Sequence, residues 1–160
     1  RENFDGGLDR VFKALAALAR RSDVQVVFPV HLNPKVQEAA NTILDGIGNV
    51  HLIAPQPYRD FVWLMAQSHL IVTDSGGIQE EAPGLGKPVL VTRDTTERPE
   101  AVHAGTVELI GTDGAKLLER ATALLDDSGQ YERMSRAINP YGDGLAAGRI
   151  VRSLINAAVS

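Results

Sequence analysis

The feature that most restricts the fold of this chain is an alternation. Apolar runs rich in Val, Ile and Leu stand at "VQVVFPV" (24–30), "NVHLIA" (49–54), "HLIVTD" (69–74), "PVLVT" (88–92) and "TVELIG" (106–111), separated by segments of helical periodicity. Nearly continuous apolar runs suit strands covered on both faces, and strands alternating with helices pair in parallel. The expected class is therefore α/β, a parallel sheet with helices on both faces. Periodicity leaves open whether such a sheet is a complete domain or half of a two-lobed enzyme.

The helical segments differ in how clearly they announce themselves. In the first, Leu8, Val11, Phe12, Leu15, Leu18 and Ala19 share one face while Asp9, Arg10, Lys13 and Arg20 fall elsewhere. Pro34 opens a second, where its missing N–H costs nothing, with Asn33 placed to cap it. The segment 58–68 turns Phe61, Leu64 and Met65 inward. Later helices are expected at about 113–127, at 129–137 and from Gly144 to the end, after the turn-rich stretch "INPYGDGLAAG".

Composition sets the outer limits. At 160 residues, 44% hydrophobic and 22% charged, the chain is long enough and apolar enough for one globular domain with its own core. A net charge of -4 offers no basic field for nucleic acid or anionic membrane, so an anionic ligand must be held by local groups. No apolar run approaches the roughly 20 residues that span a bilayer. The absence of cysteine excludes disulfides and thiolate metal sites and fits a reducing cytoplasm. The opening "RENFDGG" has neither an initiator Met nor the build of a signal peptide, and the chain is expected to be a piece of something longer.

One stretch asks for a chemical explanation. In "IVTDSGGIQEEAPGLG" a strand ends at Thr73-Asp74 and turns through Ser75, Gly76 and Gly77 straight into a helix. Glycine in a helix's first turn costs about 1 kcal/mol relative to alanine, so something else must favour it. A helix start offers unpaired N–H groups and positive potential, and bare glycines let an anion reach that backbone. In a parallel sheet this edge, beyond the carboxyl ends of the strands, is where ligands gather. Glycine also serves strand-to-helix turns that merely turn tightly, and neither a dinucleotide fingerprint nor a P-loop spacing is present.

Neighbouring residues favour the ligand. Glu81 lies one turn beyond Gly77 on the same face, placed to accept the hydroxyls of a ribose, whereas Glu80 reads as a complement to the helix dipole. "TRDTTERPEA" follows the next strand and returns to the same edge, bringing Arg93 and Arg98. Arg98 is the first choice for a diphosphate because it precedes proline in an extended backbone and presents a forked guanidinium. A surface ion pair with Glu97 or Glu100 is its bland alternative. "APQPYRDF" ends the second strand at that edge, with Gln56 in the loop and Phe61 at the start of the helix.

Taken in order, "RENF", "PVHLNPKVQE", "NVHLIAPQPYRDFVWLM", "IVTDSGGIQEEAPGLGKPVLV", "RDTTERPEAV", "AGTVELIG" and "NPYGDG" resemble the carboxyl-terminal half of the non-hydrolysing UDP-N-acetylglucosamine 2-epimerases. "SGGIQEEAP" followed by "RDTTERPEA" is the specific part. The resemblance implies the Rossmann-like carboxyl-terminal lobe of a glycosyltransferase-B type fold, with residues 1–160 as the UDP-binding lobe. It places Gln56 and Phe61 beside the uracil, Ser75, Gly76 and Gly77 at the diphosphate, Glu81 at the ribose, and Arg98 among the nucleotide contacts. His31, in "PVHLNP", matches a residue that lines a second, regulatory UDP-N-acetylglucosamine site. His51, His69 and His103 are read as structural.

The reaction implied is elimination of UDP across C1 and C2 of the sugar, leaving a glycal, followed by re-addition with the opposite configuration at C2. It needs no redox cofactor and no obligatory metal. The acids and bases that move the C2 proton belong to the amino-terminal lobe, which this chain lacks, as it lacks the histidine preceding the "RREN" motif. No catalytic residue is therefore expected in this lobe. The resemblance further implies a bacterial cytoplasmic isomerase serving cell-envelope polysaccharide synthesis, a homodimer when full length. The alternatives are a UDP-sugar glycosyltransferase lobe of the same architecture, a hydrolysing epimerase, or a nucleotide-sugar sensor without chemistry.

Overall fold

The structure is a computed structural model and describes residues 6–142 and 144–158. The "RENF" match at residues 1–4 and Asp143 of "NPYGDG" lie outside the described residues. Helices and strands alternate as α1 (Gly7–Leu18), β1 (Val26–Pro29), α2 (Pro34–Leu44), β2 (Val50–Ile53), α3 (Tyr58–Gln67), β3 (Ile71–Thr73) and α4 (Gly76–Glu81). A 3-10 turn (Ala82–Leu85) continues α4, and β4 (Val89–Val91), α5 (Pro99–Ala104), β5 (Val107–Leu109), α6 (Gly114–Asp126), α7 (Ser128–Ser135) and α8 (Ala146–Ala158) follow.

All strand pairs are parallel. β1 pairs with β2 from Val26 opposite Val50 to Pro29 opposite Ile53. β4 lies between β3 and β5, with Val89 opposite both Ile71 and Val107. The ladders fall into these two groups. Side chains bridge them: Val26 and Phe28 of β1, Val50 and Leu52 of β2, Val72 of β3 and Leu90 of β4 share one core. Each ladder keeps only part of its apolar run, because burial demands apolar side chains beyond the paired residues. Val24 and Ile110 are buried yet stand outside the strands.

β4 divides the interior. Val89, Leu90 and Val91 are all fully buried, and the period of two sends them to opposite faces. Leu90 joins Phe12 and Leu15 of α1, Leu44 of α2, and Leu117 and Leu124 of α6. Val89 and Val91 join Met65 of α3, Ala82, Ala101 of α5 and Val107 of β5. Helices therefore cover both faces, as an α/β chain of this pattern requires.

The helix starts follow their sequence signals. Asn33 Oδ1 accepts from the Lys35 N–H at 3.0 Å, and Asp113 Oδ1 accepts from Ala115 and Lys116 at 2.9 and 3.1 Å. α7 is capped by Asp127, whose carboxylate accepts from the Gln130 N–H. These caps satisfy donors that the first turn leaves orphaned. The six-residue α5 is too short to show periodicity and is not foreseen from the sequence.

α1 and α6 approach closely at one point. A Cβ on Gly114 would stand 2.5 Å from the Arg10 carbonyl oxygen, so only glycine lets the two backbones meet there. Arg10 reinforces the contact by donating to Thr112 O at 3.0 Å and Thr112 Oγ1 at 2.8 Å. Arg21 clips the far end of the same layer, reaching Asp23 at 2.8 Å and Asp126 at 2.7 Å. Both carboxylates are held below their ordinary range by their hydrogen bonds to that guanidinium.

α8 is different in kind. Ile150, Val151, Leu154 and Ile155 form an apolar stripe on it, each more than half exposed. Among the described residues no helix is long and apolar enough to cross a membrane.

Gly114→Ala is expected to destabilise the fold by about 1–3 kcal/mol through overpacking against backbone, read as a lowered melting temperature. Gly48→Ala is the control, since nothing lies within 4 Å of the position its Cβ would take, and its melting temperature should stay within a degree or two of the parent's.

Candidate functional site

Parallel strands place all their carboxyl ends on one edge. The loops after β2, β3 and β4 therefore emerge together, carrying Gln56, Ser75 to Gly77, and Arg98. α4 begins at Gly76 with Ser75 in extended geometry (φ -82°, ψ 129°) as its N-cap residue. Ser75 makes no side-chain capping bond; its own N–H is taken by Thr73 Oγ1 at 3.1 Å. The hydroxyl is thus not committed to the helix. With six residues before the 3-10 turn, α4 has a weak macrodipole, and the orphaned N–H groups of its first turn are the main attraction for an anion.

The glycines leave that backbone bare. A Cβ on Gly77 would meet only Ser75 Oγ, at 3.9 Å, and one on Gly76 would meet only the Arg98 guanidinium, at 3.9 Å to Nη2. Neither glycine has the positive φ that would demand it for conformational reasons. Tight turning therefore does not explain them. The bare side of Gly76 faces Arg98, and Gly77 is exposed.

A buried glutamine holds this edge together. Gln79, 1% exposed, donates through Nε2 to Ser75 O at 3.2 Å and accepts at Oε1 from Thr96 Oγ1 at 2.6 Å. Thr96 Oγ1 also accepts the Arg98 N–H at 3.0 Å. One amide thus ties the glycine turn to the β4–α5 loop and fixes the backbone from which Arg98 projects.

Each expected residue has a definite place. Arg98, one-third exposed, donates through Nε to Glu80 Oε1 and lies 3.6 Å through Nη1 from Glu97 Oε2. Its pKa is raised, first by the Glu80 hydrogen bond and then by that carboxylate's charge. Glu80 is thus not merely a complement to the helix dipole. It is the partner of Arg98, because a reach across the loop brings it nearer than Glu100. Glu81 is exposed and accepts at Oε2 from the Tyr58 hydroxyl at 3.0 Å, which holds the tyrosine above its ordinary pKa.

The remaining residues are less exclusively aimed. Gln56 Nε2 donates to Ala54 O at 2.7 Å, closing its own loop. Phe61 is half-buried and packs against the second core with Met65 and Val89, one turn into α3. His31 is exposed, on the loop after β1, and its Nδ1 accepts the Asn33 N–H at 3.0 Å. That bond makes it a local turn element. His69 stacks on Tyr131 with ring centroids 4.1 Å apart.

Tyr58, Gln79 and Thr96 were not singled out from the sequence. Their partners lie 23, 4 and 17 residues away, and of these only the Gln79 contact to Ser75 has a helical spacing that could have signalled it. A cavity of about 420 Å³ lies elsewhere, lined by Val102, Val107, Arg120, Arg133 and Met134 beside β5. Among the described residues no three His, Asp or Glu side chains are grouped to hold a metal ion.

Comparison with known proteins follows the same lines. The family model described as UDP-N-acetylglucosamine 2-epimerase matches residues 1–155. The UDP-N-acetylglucosamine 2-epimerase of Escherichia coli K12 is 58% identical over 161 aligned positions, covering 100% of this chain and 43% of that protein. A crystal structure of UDP-GlcNAc 2-epimerase from Neisseria meningitidis bound to UDP-GlcNAc superposes with a TM-score of 0.90 at 49% identity, covering 98% of this chain and 42% of that one. The UDP co-structure of MnaA from S. aureus superposes at 0.89 with 48% identity, covering 94% and 42%. The chain thus spans about two fifths of the length of these relatives. With almost its whole length matched by the family model and its α/β fold shared with these structures, this chain belongs to the UDP-N-acetylglucosamine 2-epimerase family.

Proposed function

We propose that this chain is the carboxyl-terminal, UDP-binding lobe of a non-hydrolysing UDP-N-acetylglucosamine 2-epimerase. The observation that carries the reading is the meeting of bare glycine backbone and guanidinium: Arg98 Nη2 stands 3.9 Å from the point where a Gly76 Cβ would project. A diphosphate between them receives N–H groups from the turn and a charge-assisted bond from Arg98, inside a chain whose net charge of -4 supplies no other attraction. The Ser75 hydroxyl adds a donor. Glu81, oriented by Tyr58, takes the ribose hydroxyls, and Gln56 and Phe61 flank the base.

In this reading the lobe grips the leaving group. Loss of the C2 proton and breakage of the C1–O bond yield the glycal and UDP, and developing charge falls on the diphosphate, where the turn and Arg98 stabilise it. Holding UDP beside the glycal makes its return effectively intramolecular. The proton-transfer groups come from the amino-terminal lobe, in the part of the relatives that this chain does not span. The exposed stripe of Ile150, Val151, Leu154 and Ile155 fits such a longer chain, because apolar rows of this kind ordinarily find cover. The full-length enzyme is proposed to be a cytoplasmic homodimer, with His31 lining a regulatory sugar-nucleotide site.

The glycines separate binding from folding. A Cβ at Gly77 meets Ser75 Oγ only at ordinary contact distance and Gly77→Val improves helix propensity, so the melting temperature should hold or rise, while UDP affinity of the full-length protein falls about ten-fold or more. Calorimetry of folding and of UDP binding on the same sample reads both; unchanged UDP affinity sinks the diphosphate assignment.

Arg98→Gln should weaken UDP by about ten- to a hundred-fold, the range of a hydrogen bond to a charged group, and leave uridine binding nearly unaltered. The 160-residue chain alone should convert no UDP-N-acetylglucosamine, whereas the full-length protein without acceptor should release the manno epimer. Proton NMR of the sugar anomeric region follows both, and turnover by the isolated chain contradicts the division of labour. Full-length protein inert without an acceptor favours the glycosyltransferase reading.

A further inference from the structure

The Arg98 guanidinium serves two directions at once. Nε is held by Glu80, and Nη1 donates to Glu97 O at 3.3 Å with the Glu97 carboxylate beyond it. Nη2, the nitrogen turned toward the bare Gly76 backbone, makes no hydrogen bond among the described residues. An anion at the glycine turn therefore meets a cation that is already neutralised, and meets it with the Glu80 carboxylate alongside. Two anions sharing one partly covered arginine repel, since burial reduces the screening that water gives.

A second oddity lies next to this pair. The Tyr141 hydroxyl is buried and is the one such side-chain oxygen among the described residues with no hydrogen-bond partner. Burial is the first cause that raises its pKa, the Ala101 backbone lowers it, and the charges of Glu100 and Glu80 raise it further against that of Arg98. Its proton has no acceptor, and an enclosed unsatisfied donor is rare and costly. Tyr141 belongs to the second core, beside Ala101 and Val102 of α5, the helix that begins immediately after Arg98. Its packing against the cluster that holds Ala101 and Val102 places the buried hydroxyl at the end of the chain segment that Arg98 opens.

We propose that Glu80 is a built-in competitor for the diphosphate, holding Arg98 while the site is open and passing to the Tyr141 hydroxyl when the anion takes the arginine. The inference rests on the nucleotide reading above and adds to it a two-position carboxylate. Glu80 keeps Arg98 extended and oriented before binding, so little side-chain freedom remains to be lost on association. Its charge opposes the ligand, which moderates how tightly UDP is held. For a step that must let UDP depart from C1 and return to it, moderate grip is the useful condition. Glu80 and Tyr141 are thus positioning residues that act through Arg98, and neither needs to touch the sugar.

Equilibrium titration of the full-length protein with UDP and with uridine tests this. Glu80→Gln keeps a hydrogen-bonding amide beside Arg98 and removes the charge, so UDP should bind about five-fold tighter, in the range of a partly exposed charge interaction, with uridine unchanged. Tyr141→Phe should weaken UDP about three-fold in the parent, and not at all in the Glu80→Gln background, because residues acting as one unit are non-additive. Weaker or unaltered UDP binding in Glu80→Gln overturns the proposal while leaving the nucleotide site intact. An equal shift for UDP and uridine also overturns it, by showing a structural role. A Tyr141→Phe effect of the same size in both backgrounds removes the tyrosine from it. Parent protein that ignores UDP overturns the site reading and this one together.

Discussion

Complete burial of β4 on both faces is the constraint on which the rest depends. Val89, Leu90 and Val91 have no solvent-facing side, so each face of the sheet needs its own cover. α1, α2 and α6 supply one, α3 and α5 the other. The alternation of short strands and helices in the chain is the consequence of that double demand. Fully burying a Leu or Val side chain contributes about 1.5–3 kcal/mol, so three adjacent residues of this kind leave no neutral place for a polar substitution.

The same constraint positions the chemistry. Parallel strands with crossover helices bring the loops after β2, β3 and β4 to one edge, although they lie far apart in sequence. What converts that edge into a site is a small number of cross-links between loops. Gln79 reaches from α4 to Thr96, Arg98 to Glu80, and Tyr58 to Glu81. Each joins a side chain on one element to a side chain on another, so the glycine turn, Arg98 and Glu81 are set relative to one another. Gln79 is the deepest of these, and a buried amide with both ends bonded is a rigid spacer.

The two glutamates of "QEEAP" show how neighbours divide labour on a helix. Adjacent residues point about 100° apart, so the two do not share one partner. Glu81 is the exposed one, met by Tyr58; Glu80 turns to the arginine. Assigning Glu80 to the helix dipole overlooks that a six-residue helix has little dipole to complement. A guanidinium arriving from the next loop is the stronger partner.

Much was legible beforehand, for identifiable reasons. Buried strands must be apolar and helices must show one apolar face, so the strands, the longer helices and the cap at Asn33 were written in local composition and spacing. The glycines of "DSGG" stood out in the sequence because glycine in a helix's first turn costs helix propensity and asks for a reason. Strand ends, the short α5 and the split of the ladders were not legible, since burial and pairing impose the same apolar residues. Nor were Tyr58, Gln79, Thr96 and Tyr141 as neighbours of the site. A contact between residues 17 or 23 apart leaves no periodic trace; it exists only once parallel packing has folded the separate loops onto one edge.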